Sequence, residues 1–245
     1  MTTYPNPEPD GETPKPHIES EECHLPSRRE RRRIETRERI FEAAMRLVSE
    51  RDFDAVTVEM ITEAADVGKG TFFNYFTSKE GVIAHYFEVL FELISQGFEG
   101  QIEQLQAFQA LPKHEALDLK EDALWRHVMA MLHRLAEFDS RSHRFARTLL
   151  ALAQTNEVVR KESLRCKAQI QEIAIEMIRL EQSLGLVRSD YPPDIIARFL
   201  RNVYFSTVTE WAQREEGDTQ SLLEILDINF HLARDAVRPL DLRHI

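Results

Sequence analysis

The side chains that could act as acids, nucleophiles or metal ligands are scattered over the second half of the chain. They are His127, His133, Glu137, His143 and Cys166. His127 and His133 are six residues apart, about 240° around a helix axis, so they cannot ligate one metal ion together. His133 and Glu137 share a helix face, but two ligands do not complete a site. Since the sequence also contains no nucleophile elbow, phosphate-binding glycine loop or dinucleotide motif, we predict no enzyme, no metal and no cofactor.

A second group of side chains lies close together, in the stretch GKGTFFNYFTSKE at residues 68–80. Lys69, Thr71 and Tyr75 carry groups that bind phosphate, and Gly70 would let a phosphate approach the backbone closely. Phe73 and Tyr75 can lie against sugar-phosphate and thymine methyl groups. This combination favours a short helix that docks in the major groove of DNA. The alternative is that all four aromatic residues of the stretch form one core cluster with lysines at its edge.

Two short helices would position this group. Thr57 is predicted to cap a helix from Val58 to about Ala65 that buries Met60 or Ile61 together with Ala64. A tight turn at residues 67–68 then leads into a second helix over about 69–76, as in a helix-turn-helix motif.

The second short helix divides into two faces. Phe72 and Phe76 are four residues apart and are predicted to pack inward against Leu47, Val48 and Ile61. Ser78 caps the following helix, where Lys79 would bind phosphate beside free backbone amides. Thr57 would likewise bind phosphate at the start of the first short helix, which it caps.

Positive charge is concentrated just before this motif. Residues 28–39 hold seven arginines and three glutamates, a local charge of +4 in a chain whose formal net charge is -11. Arginine-rich segments can lie along phosphates or enter a minor groove, and the candidates are Arg28, Arg29, Arg31, Arg32 and Arg33. The alternative is an ordinary solvated helix start in which Glu30, Glu35 and Glu38 pair with some of the arginines.

The stretch TVEMITEAADVGKGTFFNYFTSKEGVI resembles the DNA-binding signature of the TetR (tetracycline repressor) family of bacterial regulators. The likeness covers about residues 33–85 and includes a hydroxyl residue at 57, two alanines at 64–65, Thr71, an aromatic-x-aromatic pair and Ser-Lys-Glu at 78–80. The resemblance implies that DNA is faced by Thr57, Lys69, Gly70, Thr71, Phe73, Tyr75 and Lys79, with Asn74 as a further candidate. The family often has Tyr and His where this chain has Phe73 and Tyr75, a difference that bears on base preference.

The whole chain is predicted to be all-α, with about nine helices. Residues 1–27 are expected to form a disordered, acidic, proline-rich tail, 28–80 a three-helix DNA-binding domain, 81–238 a helical ligand-binding and dimerisation domain, and 239–245 a C-terminal tail. The helices are expected at about 29–50, 58–65, 69–76, 79–96, 115–138, 142–154, 157–184, 193–215 and 219–237. The sequence contains no secretory signal and no long apolar run, so we expect a cytoplasmic protein without a membrane span.

The last two predicted helices are apolar over more than one narrow stripe. Packed as a four-helix bundle with a second copy, they would form a symmetric dimer, as the family resemblance also implies; a thick monomeric core is the alternative. A two-fold protein reads a near-palindromic operator. The resemblance implies a repressor released by a small-molecule effector. The sequence does not identify the effector or its pocket, although the acidic C-terminal part permits a cation. A helical adaptor that does not bind DNA is the other function considered.

Overall fold

The computed structural model describes residues 27–109, 117–140, 142–215 and 217–239, and for 104, 108–109, 117–124, 127 and 139 it describes the backbone alone. The predicted tails therefore lie outside the described residues, except for Ser27 and Pro239. Regular structure within these ranges is helical, which confirms the all-α prediction. The α-helices are α1 Arg28–Glu50, α2 Val58–Ala64, α3 Lys69–Phe73, α4 Lys79–Gln109, α5 Leu117–Asp139, α6 His143–Thr155, α7 Glu157–Ser183, α8 Pro193–Ala212 and α9 Thr219–Val237.

The start of α1 is fixed by a reciprocal cap. The Glu30 backbone N–H donates to Ser27 Oγ at 3.2 Å, and the Ser27 N–H donates to Glu30 Oε2 at 2.7 Å. Both interactions supply an acceptor for a backbone N–H group that has no acceptor within the helix at its first turn. Ser27 therefore belongs to the helix start rather than to the predicted tail. The hydrogen bond from the Ser27 backbone also holds the pKa of the Glu30 carboxyl below its usual value.

Helices α1 to α3 form a three-helix N-terminal unit. The apolar face of α1 is buried as its spacing predicts, and it packs on α2, α4 and α6. A 3-10 turn at Phe53–Ala55, which the sequence pattern did not indicate, connects α1 to α2. In α2 the buried residues are Ile61 and Thr62, followed by Ala65. The expectation that Ala64 is buried is wrong, because the helix turns it to solvent.

Helix α4 begins at Lys79 as predicted but continues well beyond the predicted end at residue 96. A Cβ atom added at Gly97 would lie 2.8 Å from Met131 Sδ. The missing side chain thus lets α5 approach α4 closely, and packing between them compensates for the low helix propensity of glycine. Helix α4 consequently spans both the N-terminal unit and the C-terminal bundle.

The C-terminal bundle is built around α4, α7 and α8. Helix α7 packs on α4, α6 and α8, whereas α9 packs on α5 and α8. Trp211 is fully buried in α8, and its Nε1 donates to the Asp218 carbonyl oxygen at 3.0 Å, which fixes the connection into α9. Helix α8 ends at Ala212, three residues before the predicted end. One hydrophobic core continues from the N-terminal unit into this bundle.

Candidate functional site

The turn between α2 and α3 is closed by backbone hydrogen bonds. The Val67 N–H donates to the Thr62 carbonyl at 3.0 Å, and the Asp66 N–H donates to the Glu63 carbonyl at 3.2 Å. This is the Schellman pattern, which requires a left-handed residue after the helix. Asp66, with φ of 51°, occupies that position. Gly68, which lies in the turn predicted at residues 67–68, is extended at φ -74° and directly precedes α3.

Helix α3 is attached to the domain by two aromatic side chains. Phe72 is fully buried and Phe76 nearly so, which confirms the predicted inward face. Their ring centroids are 6.0 Å apart. The helix itself ends at Phe73, not at residue 76, but the Phe76 N–H still donates to the Phe72 carbonyl at 3.0 Å. The turn after α3 therefore keeps Phe76 in the core without a longer helix.

The opposite face of α3 is open to solvent. Phe73 is 54% exposed, although its ring makes an edge contact with Phe72 at 5.3 Å. Tyr75 is partly buried and packs against the core from outside. The alternative of a single core cluster of four aromatic residues is therefore wrong for Phe73. Among the other residues at 69–75 that are predicted to face DNA, Lys69, Gly70 and Asn74 are exposed and Thr71 is partly exposed.

Lys69 has a protein partner at the entrance to α3. Its Nζ forms an ion pair with the Glu59 carboxylate of α2, and both side chains are more than half exposed. The hydrogen bond from Lys69 is the main reason why the pKa of Glu59 lies below its ordinary value. An ion pair this exposed contributes little to stability. Lys69 can therefore leave Glu59 and bind another anion in its place.

Lys79 has a more specific structural role than the sequence indicated. Its Nζ donates to the Phe53 carbonyl oxygen at 2.9 Å and to the Val56 carbonyl oxygen at 3.0 Å. It also lies 4.3 Å from the centroid of the Phe53 ring. The side chain thus connects the start of α4 to the segment before α2. Sequence reasoning missed this role because the acceptors are backbone atoms in an irregular segment.

The helix caps predicted next to the site are present. Thr57 Oγ1 accepts from the Met60 N–H at 3.2 Å at the start of α2, and Ser78 Oγ accepts from the Gly81 N–H at 3.2 Å at the start of α4. Thr57 is exposed. The positive ends of two helices therefore lie on either side of α3 in sequence, in a form suited to anions.

The arginine-rich segment forms the first two turns of α1. Its five candidate residues, Arg28, Arg29, Arg31, Arg32 and Arg33, are all exposed. For Glu30 the described residues show a helix cap in place of the predicted pairing with an arginine. Its carboxylate accepts a hydrogen bond from the Ser27 backbone N–H. The positive charge of this segment is therefore presented to solvent on a helix rather than on an extended arm.

A charged network joins α1 to α4 directly behind Phe76. Arg37 Nη2 donates to Glu88 Oε2 at 2.8 Å, and His85 Nδ1 lies 2.9 Å from the same oxygen. Arg37 also lies 5.6 Å from the Phe76 ring centroid, and the His85 ring packs on Phe76 at 5.7 Å and on Phe41 at 5.1 Å. The sequence analysis missed this junction, since its members are separated by up to 51 residues.

Burial and hydrogen bonding together set the charge state of the junction. Burial lowers the pKa of His85, and the positive charge of Arg37 lowers it further, against the opposing effect of Glu88. Burial raises the pKa of Glu88, but the hydrogen bonds from Arg37 and His85 outweigh it and leave that pKa below its ordinary value. A neutral His85 therefore donates to an ionised Glu88, which also pairs with Arg37.

The C-terminal bundle contains an apolar cavity of about 110 Å³. Its walls come from α4, α5, α7, α8 and α9, and they are almost entirely apolar. One acidic side chain, Glu181 of α7, lies in the wall and is only 9% exposed. A second chamber, which shares Glu181, Val128 and Phe230 with the first, extends towards Trp125 and Val237. Ligand sites of helical bundles commonly lie in apolar spaces of this kind between the helices.

Two of the side chains first considered for catalysis, those of His133 and His143, have structural partners, and a third, that of Cys166, is buried. His133 Nε2 lies 2.6 Å from Asp227 Oδ1, and His143 Nε2 donates to the Trp211 carbonyl at 3.1 Å. For His127 only the backbone is described. Within the described residues no group of three or more His, Cys, Asp or Glu side chains could hold a metal ion.

The two short helices, their closed turn and the exposed face of α3 define the chain as a helix-turn-helix protein. Residues 40–86 match the family model of the bacterial regulatory proteins of the tetR family. Within the part of the chain that the structure describes, no helix has the length and apolar composition needed to cross a membrane.

Similar proteins extend the match beyond this motif. The chain is 25% identical over 214 residues to the HTH-type transcriptional regulator TcmR of Streptomyces glaucescens, covering 87% of this chain and 88% of TcmR. It is 29% identical over 175 residues to the HTH-type transcriptional repressor DhaR of a Mycobacterium species, covering 69% and 78% of the two chains. The crystal structure of the TetR family repressor FadR of Thermus thermophilus, in complex with lauroyl-CoA, superposes with a TM-score of 0.53 and 26% identity, covering 80% and 92%. The chain is a DNA-binding transcriptional regulator that is similar, over most of its length, to regulators of the TetR family.

Proposed function

We propose that this regulator is a homodimeric repressor, which binds a near-palindromic operator and is released when a small apolar molecule enters the cavity of the C-terminal bundle. The observation that carries the proposal is the division of α3, where buried Phe72 lies next to exposed Phe73. A large aromatic side chain held at the surface by a rigid anchor suits a surface that is covered by a partner. Repression is the activity named for DhaR and FadR.

The DNA contacts follow from the open face of α3. We assign Lys69, Gly70, Thr71, Phe73, Asn74 and Tyr75 to the major groove and its flanking phosphates. A Cβ atom added at Gly70 would meet no described atom within 4 Å, so a phosphate could approach its backbone from the open side. Thr57 and Lys79 are assigned to phosphates at the helix starts, and Arg28, Arg29, Arg31, Arg32 and Arg33 to the backbone or minor groove beyond.

The dimer would form through α8 and α9. Four large apolar side chains on these helices are exposed: Ile195 by 37%, Phe199 by 41%, Ile228 by 63% and Leu232 by 66%. Between the two helices Asn229 Nδ2 donates to Thr207 Oγ1 at 2.8 Å, so the groove beside Phe199 and Leu232 has a polar floor. Large apolar side chains exposed together on one face are typical of a protein interaction site. In a two-fold dimer this patch would pack against the same patch of the second copy, so that each of its residues is buried in both protomers.

Helix α4 supplies the connection between ligand and DNA. Its residues Ile94 and Phe98 line the cavity, and its residues His85 and Glu88 form the junction behind Phe76. A ligand that displaces α4 would therefore move the anchor of α3 and change the separation of the two reading helices in a dimer. The lauroyl-CoA bound by the FadR structure supports a ligand-responsive bundle. Ligand and operator would then weaken each other's binding reciprocally.

The proposal includes a cytoplasmic location and no enzymatic activity. The partners of His133 and His143 support the absence of enzymatic activity, because both rings are engaged in contacts between helices. For the domains we propose the predicted division, 28–80 for DNA binding and 81–238 for ligand binding and dimerisation. Because α4 crosses this boundary, the two parts are expected to unfold together.

The experiment that tests the proposal is selection of duplexes bound by the full chain from a random pool. We expect enrichment of a near-palindrome whose affinity falls steeply with salt, because several phosphates are contacted in each half-site. Scrambling one half-site should abolish binding by the dimer at moderate salt. A helical adaptor would enrich no sequence and would show no salt-sensitive duplex binding, and that outcome would reject the repressor.

A further inference from the structure

Glu181 is a buried acid in the wall of the apolar cavity, and the described residues give it no cationic partner. Its carboxyl group accepts a hydrogen bond from Gln101 Nε2, which is 3.3 Å from Glu181 Oε1. Gln101 is itself fully buried, and its Oε1 has no partner among the residues that the structure describes. Helix α4 therefore supplies one long hydrogen bond to the acid of α7, and no positive charge.

This arrangement is costly when the cavity holds no ligand. Burial raises the pKa of Glu181 to about 7, so its carboxyl group is divided between the neutral and ionised forms near neutral pH. A buried charge is stabilised by an opposite charge or by several hydrogen bonds, and here the described side chains provide neither. Retaining an acid among leucine, methionine and phenylalanine side chains is therefore explained best by a ligand that meets it.

The other charged groups of the cavity lie elsewhere on its wall. Arg201 of α8 is partly exposed, and its Nη2 donates to Asn202 Oδ1 at 3.2 Å. Arg234 of α9 and Arg238, which follows that helix, line the second chamber, and Arg234 lies 5.3 Å from the Trp125 ring centroid. None of the ion pairs between described residues involves Glu181. The acid is thus available to a ligand in the shared wall of both chambers.

We propose that the effector is a hydrophobic organic cation whose ammonium group donates to the Glu181 carboxylate while its apolar body fills the cavity. This deepens the proposed function and rests on it. Four aromatic residues, Phe98, Tyr204, Phe205 and Phe230, line the same space and favour a cation by the attraction of their ring faces. Gln101 acts as a positioning residue, since it holds one carboxylate oxygen from behind. A carboxylate ligand would bring a like charge to the acid and leave its acceptors unpaired.

A series of ligands with one common body tests the head group. Phenylbutylamine, phenylbutanol and phenylbutyrate would be titrated into the full chain by isothermal calorimetry at pH 8. We expect the amine to bind about tenfold or more tightly than the alcohol, which corresponds to one charge-assisted hydrogen bond, and phenylbutyrate to bind most weakly. The amine should lose affinity between pH 8 and pH 6 as Glu181 gains a proton, whereas the alcohol should not.

Two matched variants assign the effect to this acid. Glu181→Gln keeps the shape and the contact with Gln101, and it should remove the preference for the amine over the alcohol. Glu176→Gln changes an exposed acid on the same helix, whose ion pair with Arg179 faces solvent, and should leave all three affinities unchanged. The comparison of ligands on the unmodified chain stands even where a variant folds poorly.

Each outcome separates the ligand class from the repressor mechanism. Equal binding of amine and alcohol, tighter binding of phenylbutyrate, or binding of none of the three would overturn the cationic effector, while operator binding by the free protein would still support the repressor. Amine binding that is lost in Glu181→Gln but releases no operator would support the ligand class and contradict the coupling through α4.

Discussion

Lys79 and Phe53 are joined by two interactions, a hydrogen bond of 2.9 Å from Nζ to the Phe53 carbonyl oxygen and a contact of 4.3 Å between Nζ and the Phe53 ring centroid. Together with the bond to the Val56 carbonyl, they use the ammonium group to close the segment between α1 and α2. The start of α4 is therefore part of the N-terminal unit. DNA contact by Lys79 stays a prediction, and this structural role must be separated from it by experiment.

Replacing Lys79 with alanine should destabilise the protein, because two backbone carbonyl groups lose their partner. We expect a loss of about 1–2 kcal/mol in the free energy of unfolding, measured with urea. Lys69→Ala is the matched control, since it removes only an exposed ion pair with Glu59 and should leave the urea midpoint unchanged. Lys69→Ala should instead lower the salt slope of operator binding by about one. The reverse pattern would contradict both assignments.

The neighbours Phe72 and Phe73 should respond in opposite ways to truncation. Phe72→Ala leaves a cavity in the core and should cost about 3–5 kcal/mol of stability. Phe73→Ala removes an exposed ring, so its unfolding curve should stay close to that of the unmodified chain. We expect Phe73→Ala to weaken operator binding about tenfold or more, as loss of a groove contact does. Full operator affinity in a folded Phe73→Ala variant would remove this residue from the site.

The left-handed conformation of Asp66 predicts that this position accepts glycine better than a β-branched residue. Glycine is the usual residue at such a position. Asp66→Val should destabilise the protein by about 1–2 kcal/mol, because a β-branched side chain is strained at positive φ. Asp66→Gly should keep or slightly improve stability, since glycine adopts this conformation without steric cost. Urea unfolding of the two variants measures the difference. Equal stability of the valine and glycine variants would show that the turn is not held in this form.

The apolar patch of α8 and α9 predicts that a charge at its centre separates the dimer. Leu232→Glu should produce monomers in analytical ultracentrifugation at micromolar concentration, because two copies of the charge would be buried in one interface. Leu164→Glu on α7 is the control, as Leu164 is exposed to a similar degree, 59% against 66%, but lies outside the patch. A dimer that survives Leu232→Glu, or dissociates equally in Leu164→Glu, would exclude this interface.

Burial of Glu181 predicts that stability changes with pH in a definite direction. Its pKa is about 7 in the folded chain and near the ordinary value of 4.5 when unfolded, so the folded state binds this proton more tightly. The contribution of this group is fully present below about pH 4.5 and is lost as pH rises towards 7 and beyond. The shift corresponds to about 3 kcal/mol at pH 8.

Glu181→Gln measures that contribution. Compared with the unmodified chain, the variant should gain stability at pH 8 and show no advantage at pH 5, when both are unfolded with urea. Glu176→Gln, which changes an exposed acid of the same helix, should have the same stability to urea as the unmodified chain at both pH values. A difference between Glu181→Gln and the unmodified chain that does not depend on pH would show that the acid is not held in an apolar environment.

Much of the fold follows from local patterns in the sequence. The apolar spacing of α1, the hydroxyl caps at Thr57 and Ser78, and the four-residue separation of Phe72 and Phe76 each depend on neighbours within one or two turns. The alternation of helix and turn signals likewise located all nine helices of the described residues, most of them to within a few residues. The clearest misses were local features that packing changed, namely the continuation of α4 past Gly97 and the exposure of Ala64.

The tertiary structure decided what these residues do to one another. Gln101 and Glu181 are 80 positions apart and meet only because α4 and α7 pack side by side, and Arg37 reaches Glu88 across 51 positions in the same way. Helical periodicity indicates which face of a helix is apolar, but it does not indicate which other helix covers that face or at what register. The sequence by itself determined a helix-turn-helix regulator, whereas the buried acid of the cavity, the junction behind Phe76 and the backbone contacts of Lys79 arise from packing between distant segments.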